Sequence, residues 1–240
     1  MAADAHLVFE VATIKPTAPG TPGKAITMRG PHQFVTINTS LNDLITFAYG
    51  IHPNQITGGA SWLESEFFDI QAEPEAPGTP NRKQLEVMLQ ALLADRFKLT
   101  FHKDKKELSV YAITVGKNGP KLTKSAGDPN GLPGLGFRGL GAMNAVNSNM
   151  SDFAGLMQSV VLDRPVVDQT GLSGRFDFQL NWTPDASQFG GRGGAAKADD
   201  PNAPPDLFAA IQEQLGLQLK GVKTAVDVLV IDRVEKPSAN

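Results

Sequence analysis

Four side chains that could bind a ligand lie close together in the sequence, between positions 49 and 62. They are Tyr49, His52, Gln55 and Trp62. Trp62 follows the Gly58-Gly59 turn, and an exposed tryptophan in a loop often marks a binding surface, although a tryptophan packed beneath its own loop is the commoner arrangement. His52 also lies in a loop, where functional residues concentrate. These four residues are therefore the candidate binding residues.

The residue types that carry out catalysis form no recognised motif. The chain has no G-x-S-x-G nucleophile elbow, and Ser173, in Gly171-Leu172-Ser173-Gly174, is expected in a tight turn before a strand. It also has no P-loop, no H-E-x-x-H and no G-x-G-x-x-G after a strand. The absence of cysteine excludes disulfides, a thiolate zinc site and a cysteine nucleophile. No catalytic residue is predicted.

The histidines and acidic residues give no metal site. None of the four histidines lies at a metal-ligand spacing from another; they are His6, His32, His52 and His102. The run Asp128-Pro129-Asn130-Gly131 looks superficially like a calcium loop but lacks the ligand register of an EF-hand. The sequence therefore predicts no metal and no cofactor.

Charge and hydropathy exclude two classes of partner. The net charge of -3 argues against a chain whose main partner is nucleic acid or anionic lipid. The basic stretch from Arg96 to Lys106 is interrupted by acidic residues and has no aromatic stacking platform. No apolar run approaches the roughly 18 residues of a membrane span. The small-molecule or protein ligand and the oligomeric state stay open.

Helices are predicted from caps and apolar spacing. Ser40 is a preferred N-cap residue, and Gly50 a preferred residue after a helix, so a helix is expected between them. Apolar residues on one face predict a second helix over 82–96. Similar spacing predicts helices over 150–161 and 207–215.

Strands are predicted where apolar and polar residues alternate. The segments 97–102 and 108–115 alternate on either side of the charged residues 103–107, which predicts an antiparallel hairpin. Near the end of the chain, 218–220 and 226–234 are predicted as strands.

An internal repeat organises these elements. Residues 38–44 match 147–153 at every position in identity or chemical type, and each run opens a helix. Residues 67–71 match 175–179, and the following helices and strands match in the same order. The sequence thus predicts an α+β fold of two similar halves from internal duplication, each a small, mainly antiparallel sheet with two helices.

The repeat also suggests structural roles for polar residues that precede or open the helices. Asn38 and Asn147, with Ser40 and Asn149, are expected to bond free N–H groups of the first helical turn. Asp43 and Asp152 lie in that turn, where the helix dipole favours a carboxylate.

Gly- and Pro-rich segments give the predicted boundaries. The first half is 1–124, the connector is 125–141, and the second half is 142–240. The low-complexity segment 183–205 is predicted to be a mobile loop within the second half.

Several longer phrases resemble a family of uncharacterised proteins that is abundant in soil bacteria, especially acidobacteria. The matching phrases are Phe9 to Pro16, Leu44 to Gly50, Gln55 to Gly59, Trp62-Leu63, Met88 to Leu99, Arg164 to Leu172 and Val228 to Pro237. Members of that family look exported, and some copies follow a membrane metallopeptidase of the antibiotic-sensor type. The resemblance implies a periplasmic or secreted module whose signal peptide has been removed, and it transfers no catalytic residue.

Two functions of different classes are left. The first is an extracytoplasmic binding or sensing module without catalysis. The alternative is a hydrolase of small esters or lactones with a non-classical site between the two halves. A cleft that holds a histidine within hydrogen-bond reach of Ser or Asp would favour the hydrolase.

Overall fold

The structure, a computed structural model, describes residues 1–2, 6–129, 132–194 and 203–237. Its α-helices are α1 (Leu41–Tyr49), α2 (Arg82–Arg96), α3 (Met150–Leu156) and α4 (Leu207–Leu215). Its strands are β1 (Phe9–Pro16), β2 (Ala25–Arg29), β3 (Gln33–Ser40), β4 (Ile56–Gly58), β5 (Phe67–Pro74), β6 (Thr100–Val115), β7 (Thr123–Lys124), β8 (Gly134–Gly139), β9 (Ala142–Ser148), β10 (Val166–Asp168), β11 (Phe176–Asn181) and β12 (Leu217–Arg233).

The chain divides into two compact units. Unit 1 comprises residues 1–105 and 227–240, and unit 2 comprises residues 106–226. The boundaries fall within β6 and β12, which each contribute residues to both units. The units are thus not coextensive with the halves 1–124 and 142–240, which stay a prediction about the repeat.

Unit 1 is an antiparallel four-stranded sheet, in the order β1-β5-β3-β2, with α1 and α2. Apolar residues of the sheet and of both helices form its core; they include Phe34, Leu44, Ile70, Leu89 and Phe97. The short strand β4 pairs in parallel with residues 229–231 of β12.

Unit 2 contains an antiparallel four-stranded sheet, in the order β7-β11-β9-β8, with α3 and α4. Its core includes Met143, Phe153, Leu180, Trp182 and Ile211. The short strand β10 pairs in parallel with residues 111–113 of β6. The mixed α+β class predicted from the sequence is confirmed, with three small sheets, the third in the order β10-β6-β12-β4.

Local capping explains where the helices begin and end. Ser40 Oγ accepts the N–H of Asp43 while the Asp43 carboxylate accepts the N–H of Ser40, so two free groups of α1 are satisfied at once. Asn149 and Asp152 form the same box at α3. Gly50, with φ 62°, ends α1 in the left-handed conformation that suits glycine. The helix predictions for 82–96 and 207–215 are confirmed, and the helical segment 150–161 is α3 followed by a π-turn, Met157–Val161.

Two strand predictions are wrong. Residues 103–107 form no turn, because β6 runs through them without interruption. The segment contains no Gly, Pro or Asn to favour a reversal, and its charged side chains all lie in solvent along the strand. Likewise, β12 is one strand from Leu217 to Arg233 rather than two.

Parts of the predicted flexible segments are ordered locally. Strand β8 lies inside the predicted connector 125–141. Of the predicted mobile loop 183–205, residues 195–202 lie outside the described residues. Before them, Phe189 is buried, and its ring stacks on Trp182 with centroids 5.9 Å apart.

Candidate functional site

Unit 1 carries a cavity of about 540 Å³, called here the Phe67 cavity. It is lined by residues 16–21, by Asn38 and by residues 65–68. These are the loop that follows β1, the end of β3 and the start of β5. The volume lies in the range of pockets that hold small organic molecules, roughly 300–1,000 Å³.

A partly buried hydrogen-bond node fixes the base of the Phe67 cavity. One carboxylate oxygen of Asp69 accepts the backbone N–H of Asn38 at 2.8 Å and the hydroxyl of Thr17 at 2.7 Å. The Thr17 N–H in turn donates to the carbonyl of Phe67 at 2.9 Å. The loop after β1 is therefore tied to both β3 and β5.

Asn38 holds the far side of the same loop. Its φ of 51° is left-handed, a conformation that asparagine tolerates better than most residues. In this conformation its Nδ2 group donates to the carbonyl of Gly23 at 2.8 Å and reaches that of Thr21 at 3.4 Å. The prediction that Asn38 caps α1 is therefore wrong, because Ser40 is the capping residue. The same prediction for Asn147 is also wrong, since its side chain donates to the carbonyl of Asp128 in a loop.

Two consecutive phenylalanines give the cavity its apolar wall. Side chains alternate across a strand, so Phe68 enters the core, where it is 4 % exposed, while Phe67 faces out and is 37 % exposed. The Phe68 ring packs edge-on against Phe97 and Trp62. Phe67 is therefore an exposed aromatic side chain on a rigidly packed strand.

The turn before β5 supplies the polar wall. The carbonyl of Trp62 accepts the N–H groups of Ser65, at 3.2 Å, and Glu66, at 3.0 Å. Glu66 Oε1 pairs with Lys236 Nζ at 2.5 Å, and that ammonium also lies 5.9 Å from the centre of the Trp62 ring. Among the described residues that line this cavity, Glu66 alone is charged.

The candidate residues Tyr49, His52, Gln55 and Trp62 all lie in unit 1, and none lines the Phe67 cavity. Trp62 is half-buried and supports the cavity through its carbonyl and its contact with Phe68. Tyr49 packs its ring against Phe101 at 4.9 Å, and burial raises the pKa of its hydroxyl.

His52 and Gln55 fix a short 3₁₀ turn, Pro53–Gln55. His52 Nδ1 accepts the N–H of Asn54 at 3.2 Å, and Gln55 Oε1 accepts the N–H of His52 at 3.0 Å. Gln55 Nε2 donates to the carbonyl of Asp227 at 2.9 Å. Both ends of the Gln55 amide are thus used within the protein, and a binding role for these residues stays a prediction.

In the described part of the chain, no histidine lines the Phe67 cavity. His102 Nδ1 lies 2.8 Å from Asp232 Oδ1, but both side chains are about half exposed and neither lines a described cavity. His6 pairs with Glu75 on the surface. Within the described residues, no group of three His, Cys, Asp or Glu side chains could hold a metal ion.

Sequence reasoning missed Thr17, Glu66 and Phe67 as cavity residues. The Pro/Gly/Thr-rich composition of 17–24 marked a loop, but composition does not tell that the loop stands off the sheet. The alternation around Phe67 predicts a strand, but the exposure of Phe67 depends on which face the sheet buries. Asn38 was singled out through the repeat, for a different role.

A second cavity, of about 270 Å³, lies in unit 2 between residues 116–121 and the end of α4. Lys121 lines it, and its ammonium donates to the carbonyl of Glu213 at 2.7 Å. That contact satisfies a free carbonyl at the end of α4. The arrangement has an evident structural role, so the Phe67 cavity is the stronger candidate site.

None of the described helices has the length and apolar character required to span a membrane. Comparison with curated proteins and with solved structures finds no match. A family model described as a protein of unknown function (DUF3738) matches residues 42–234. That match covers more than half of the chain, and it includes β5, from which Phe67 and Asp69 arise. The chain therefore belongs to the DUF3738 family.

Proposed function

We propose that this protein is a non-catalytic binding module and that the Phe67 cavity is its ligand site. The observation that carries the proposal is an exposed phenylalanine in a cavity whose walls are fixed by the hydrogen bonds of Asp69 and Asn38. A preformed apolar wall lowers the ordering cost of binding. Glu66, Thr17, Thr21 and Ser65 add the few polar groups that orient a small ligand.

The test is a titration of the full chain with a library of small organic fragments, followed by ¹H–¹⁵N NMR. Bound fragments are expected to shift the amide signals of residues 17, 18, 20, 21 and 65–68. Phe67→Arg is expected to abolish these shifts, because it replaces the apolar wall with a charge. The matched control is Val87→Arg, which adds the same charge at an exposed apolar residue of α2 outside the cavity. The proposal fails if no fragment shifts these amides, or if Phe67→Arg binds as the wild type does.

We also propose that the two halves of the chain arose by duplication of one ancestral element. Supporting it, Asn38 and Asn147 share a φ of 51°, and each donates its N–H to an aspartate, Asp69 or Asp177. Residues 97–101 also match 215–219 in the repeat, and Lys98 and Gly216, at the same position of this match, both have positive φ. Alignment of the halves across many family members tests the idea. Halves that align no better than shuffled segments would contradict it.

The proposed place of action is outside the cytoplasm, in the periplasm or the medium, where the module would sense its ligand. The support is the resemblance of phrases such as Phe9 to Pro16 to exported proteins. Cell fractionation with an antibody against the native protein tests it. Recovery of the protein in the cytoplasmic fraction alone would overturn this part of the proposal.

A further inference from the structure

The hydrogen-bonding groups of the Phe67 cavity are unbalanced between donors and acceptors. The Thr17 hydroxyl donates to Asp69, the Thr21 hydroxyl donates to the carbonyl of Ala18 at 2.7 Å, and the Asn38 amide donates to Gly23. A hydroxyl whose proton is engaged still has lone pairs to offer. These side chains therefore face a ligand mainly as acceptors.

The charge of the lining points the same way. The residues that the structure describes in the lining of the Phe67 cavity include no Lys or Arg, and Glu66 is acidic. Glu66 Oε1 is held by Lys236, whereas Oε2 accepts no hydrogen bond from any residue in the described ranges. A carboxylate oxygen is thus available beside an acceptor-rich wall. An anionic ligand would meet the like charge of Glu66, and the nearby ammonium of Lys236 is already paired with Glu66 Oε1, so its binding would cost energy.

The remaining wall is apolar and includes a ring. Phe67, Pro16 and Pro19 line the cavity, and Phe67 presents an exposed aromatic surface. Such surfaces take up the flat or cyclic part of a ligand. The two walls together fit a ligand with two parts, a hydrogen-bond donor for the polar wall and an apolar ring for Phe67.

We propose that the Phe67 cavity selects organic ammonium compounds that carry an apolar ring, with the ammonium on Glu66 Oε2 and the ring against Phe67. This rests on the proposed function, since it names the ligand class of the same cavity. A charge-assisted hydrogen bond from an ammonium to a carboxylate is stronger than a neutral one, so the charge on the ligand is what sets its affinity apart.

The experiment compares three probes of similar size by isothermal titration calorimetry with the full chain. The probes are 2-phenylethylammonium, 2-phenylethanol and 3-phenylpropanoate. The ammonium is expected to bind about tenfold more tightly than the alcohol, the difference that one charged hydrogen bond supports. The carboxylate is expected to bind most weakly.

Three variants test whether the preference for the ammonium depends on the Glu66 carboxylate. Glu66→Gln is expected to bring the ammonium down to the affinity of the alcohol and to leave the alcohol unchanged. The matched control is Glu64→Gln, which removes the same charge from an exposed residue outside the lining and is expected to keep the preference. Lys236→Met, which leaves Glu66 without its cation, is expected to strengthen ammonium binding.

The outcomes separate the ligand class from the binding function. If all three probes bind equally and Phe67→Arg abolishes them, the cavity binds ligands but the ammonium class is wrong. A preference that survives Glu66→Gln also overturns the assignment. If no probe binds while other fragments shift the amides of 65–68, the ammonium class is again wrong and the binding function stands. If neither the three probes nor any other fragment binds at the Phe67 cavity, both the ammonium class and the binding function are wrong.

Discussion

The same arrangement of hydrogen bonds occurs twice, once at the base of the Phe67 cavity in unit 1 and once at the corresponding place in unit 2. In unit 1 Asp69 accepts from Asn38 and Thr17, and in unit 2 Asp177 accepts from the N–H of Asn147 and the hydroxyl of Ser125. Even the backbone agrees, since Ser125 N–H donates to the carbonyl of Arg175 at 2.9 Å as Thr17 N–H does to that of Phe67. The surfaces above the two nodes are nevertheless different.

The difference lies in one side chain and one loop. Where unit 1 has Phe67, unit 2 has Arg175, which donates to the carbonyls of Asn147 at 2.6 Å and Pro129 at 2.8 Å. Asn147 binds the carbonyl of Asp128, three residues after Ser125, whereas Asn38 binds that of Gly23, six residues after Thr17. Gly127 lies so close to Asn147 that a Cβ there would come 3.0 Å from its Cγ. The same hydrogen-bond node thus lies beneath the Phe67 cavity in unit 1 and beneath the contacts of Arg175 and Asn147 in unit 2.

If the two nodes stabilise their units equally, substituting Asn38 or Asn147 is expected to give the largest loss of stability. Asn38→Ala and Asn147→Ala each lose a hydrogen bond and put alanine in a left-handed conformation, at a cost of about 3 kcal/mol. Asn→Gly at the same positions keeps the backbone conformation and is expected to cost less. Urea unfolding measures all four variants. Equal losses for Ala and Gly would show that the conformation of this residue is not what matters.

Removing the acceptor of the unit 1 node is the next largest effect. Asp69→Ala leaves the Asn38 N–H and the Thr17 hydroxyl without their partner, for an expected loss of about 2 kcal/mol. Asp69→Asn keeps an acceptor oxygen and serves as the control, with a smaller expected loss. Fragment binding is expected to weaken in Asp69→Ala together with stability. An Asp69→Ala protein of wild-type stability would mean that the node does not fix the loop.

The parts of the fold that follow from short sequence spacing could be predicted. The Ser40–Asp43 and Asn149–Asp152 boxes depend only on residues three apart, and the apolar face of α2 repeats within one helix. The match of residues 67–71 with 175–179 placed Asp69 and Asp177 at equivalent positions before any contact was known. Local rules and the repeat sufficed for these.

The parts that depend on distant residues could not be predicted. The charged run 103–107, predicted as a turn, instead continues β6, because pairing depends on neighbouring strands and charges alone do not break a strand. The Phe67 cavity requires the position of a loop relative to a sheet, and the sequence pattern around Phe67 shows only alternation. Composition likewise cannot tell that residues from 227 onward belong with unit 1.

Exchanging Phe67 and Arg175 tests which side chain accounts for the difference between the two units. The expected loss of stability is smaller than for the node residues. Arg175→Phe loses two hydrogen bonds to carbonyls from a partly exposed guanidinium and is expected to cost about 1 kcal/mol. It is not expected to create a binding site, because Gly127 still packs on Asn147. Phe67→Arg, by contrast, is expected to change stability little. Fragment-induced shifts of the 125–128 amides in Arg175→Phe would contradict this and would show that Arg175 alone prevents fragments from binding there.

The smallest expected effect is a pH dependence of the unit 2 node. The N–H of Asn147 and then the hydroxyl of Ser125 donate to Asp177, and they lower the pKa of its carboxyl from the ordinary 3.8, while desolvation opposes them. A carboxyl whose pKa is lower in the folded than in the unfolded chain stabilises the fold above the unfolded pKa. That stabilisation is lost as the pH falls through the folded pKa.

Ser125→Ala removes one of the two donors, so it is expected to raise the pKa of Asp177 toward the ordinary value. Its loss of stability relative to the wild type is expected to be full at pH 6 and to shrink as the pH falls below about 4, where the carboxyl of the unfolded chain is protonated. NMR titration of the Asp177 carboxyl carbon and urea unfolding at a series of pH values measure the two effects. A stability difference that stays constant down to the lowest pH would mean that the Ser125 hydroxyl stabilises unit 2 by a contact that does not depend on the charge of Asp177.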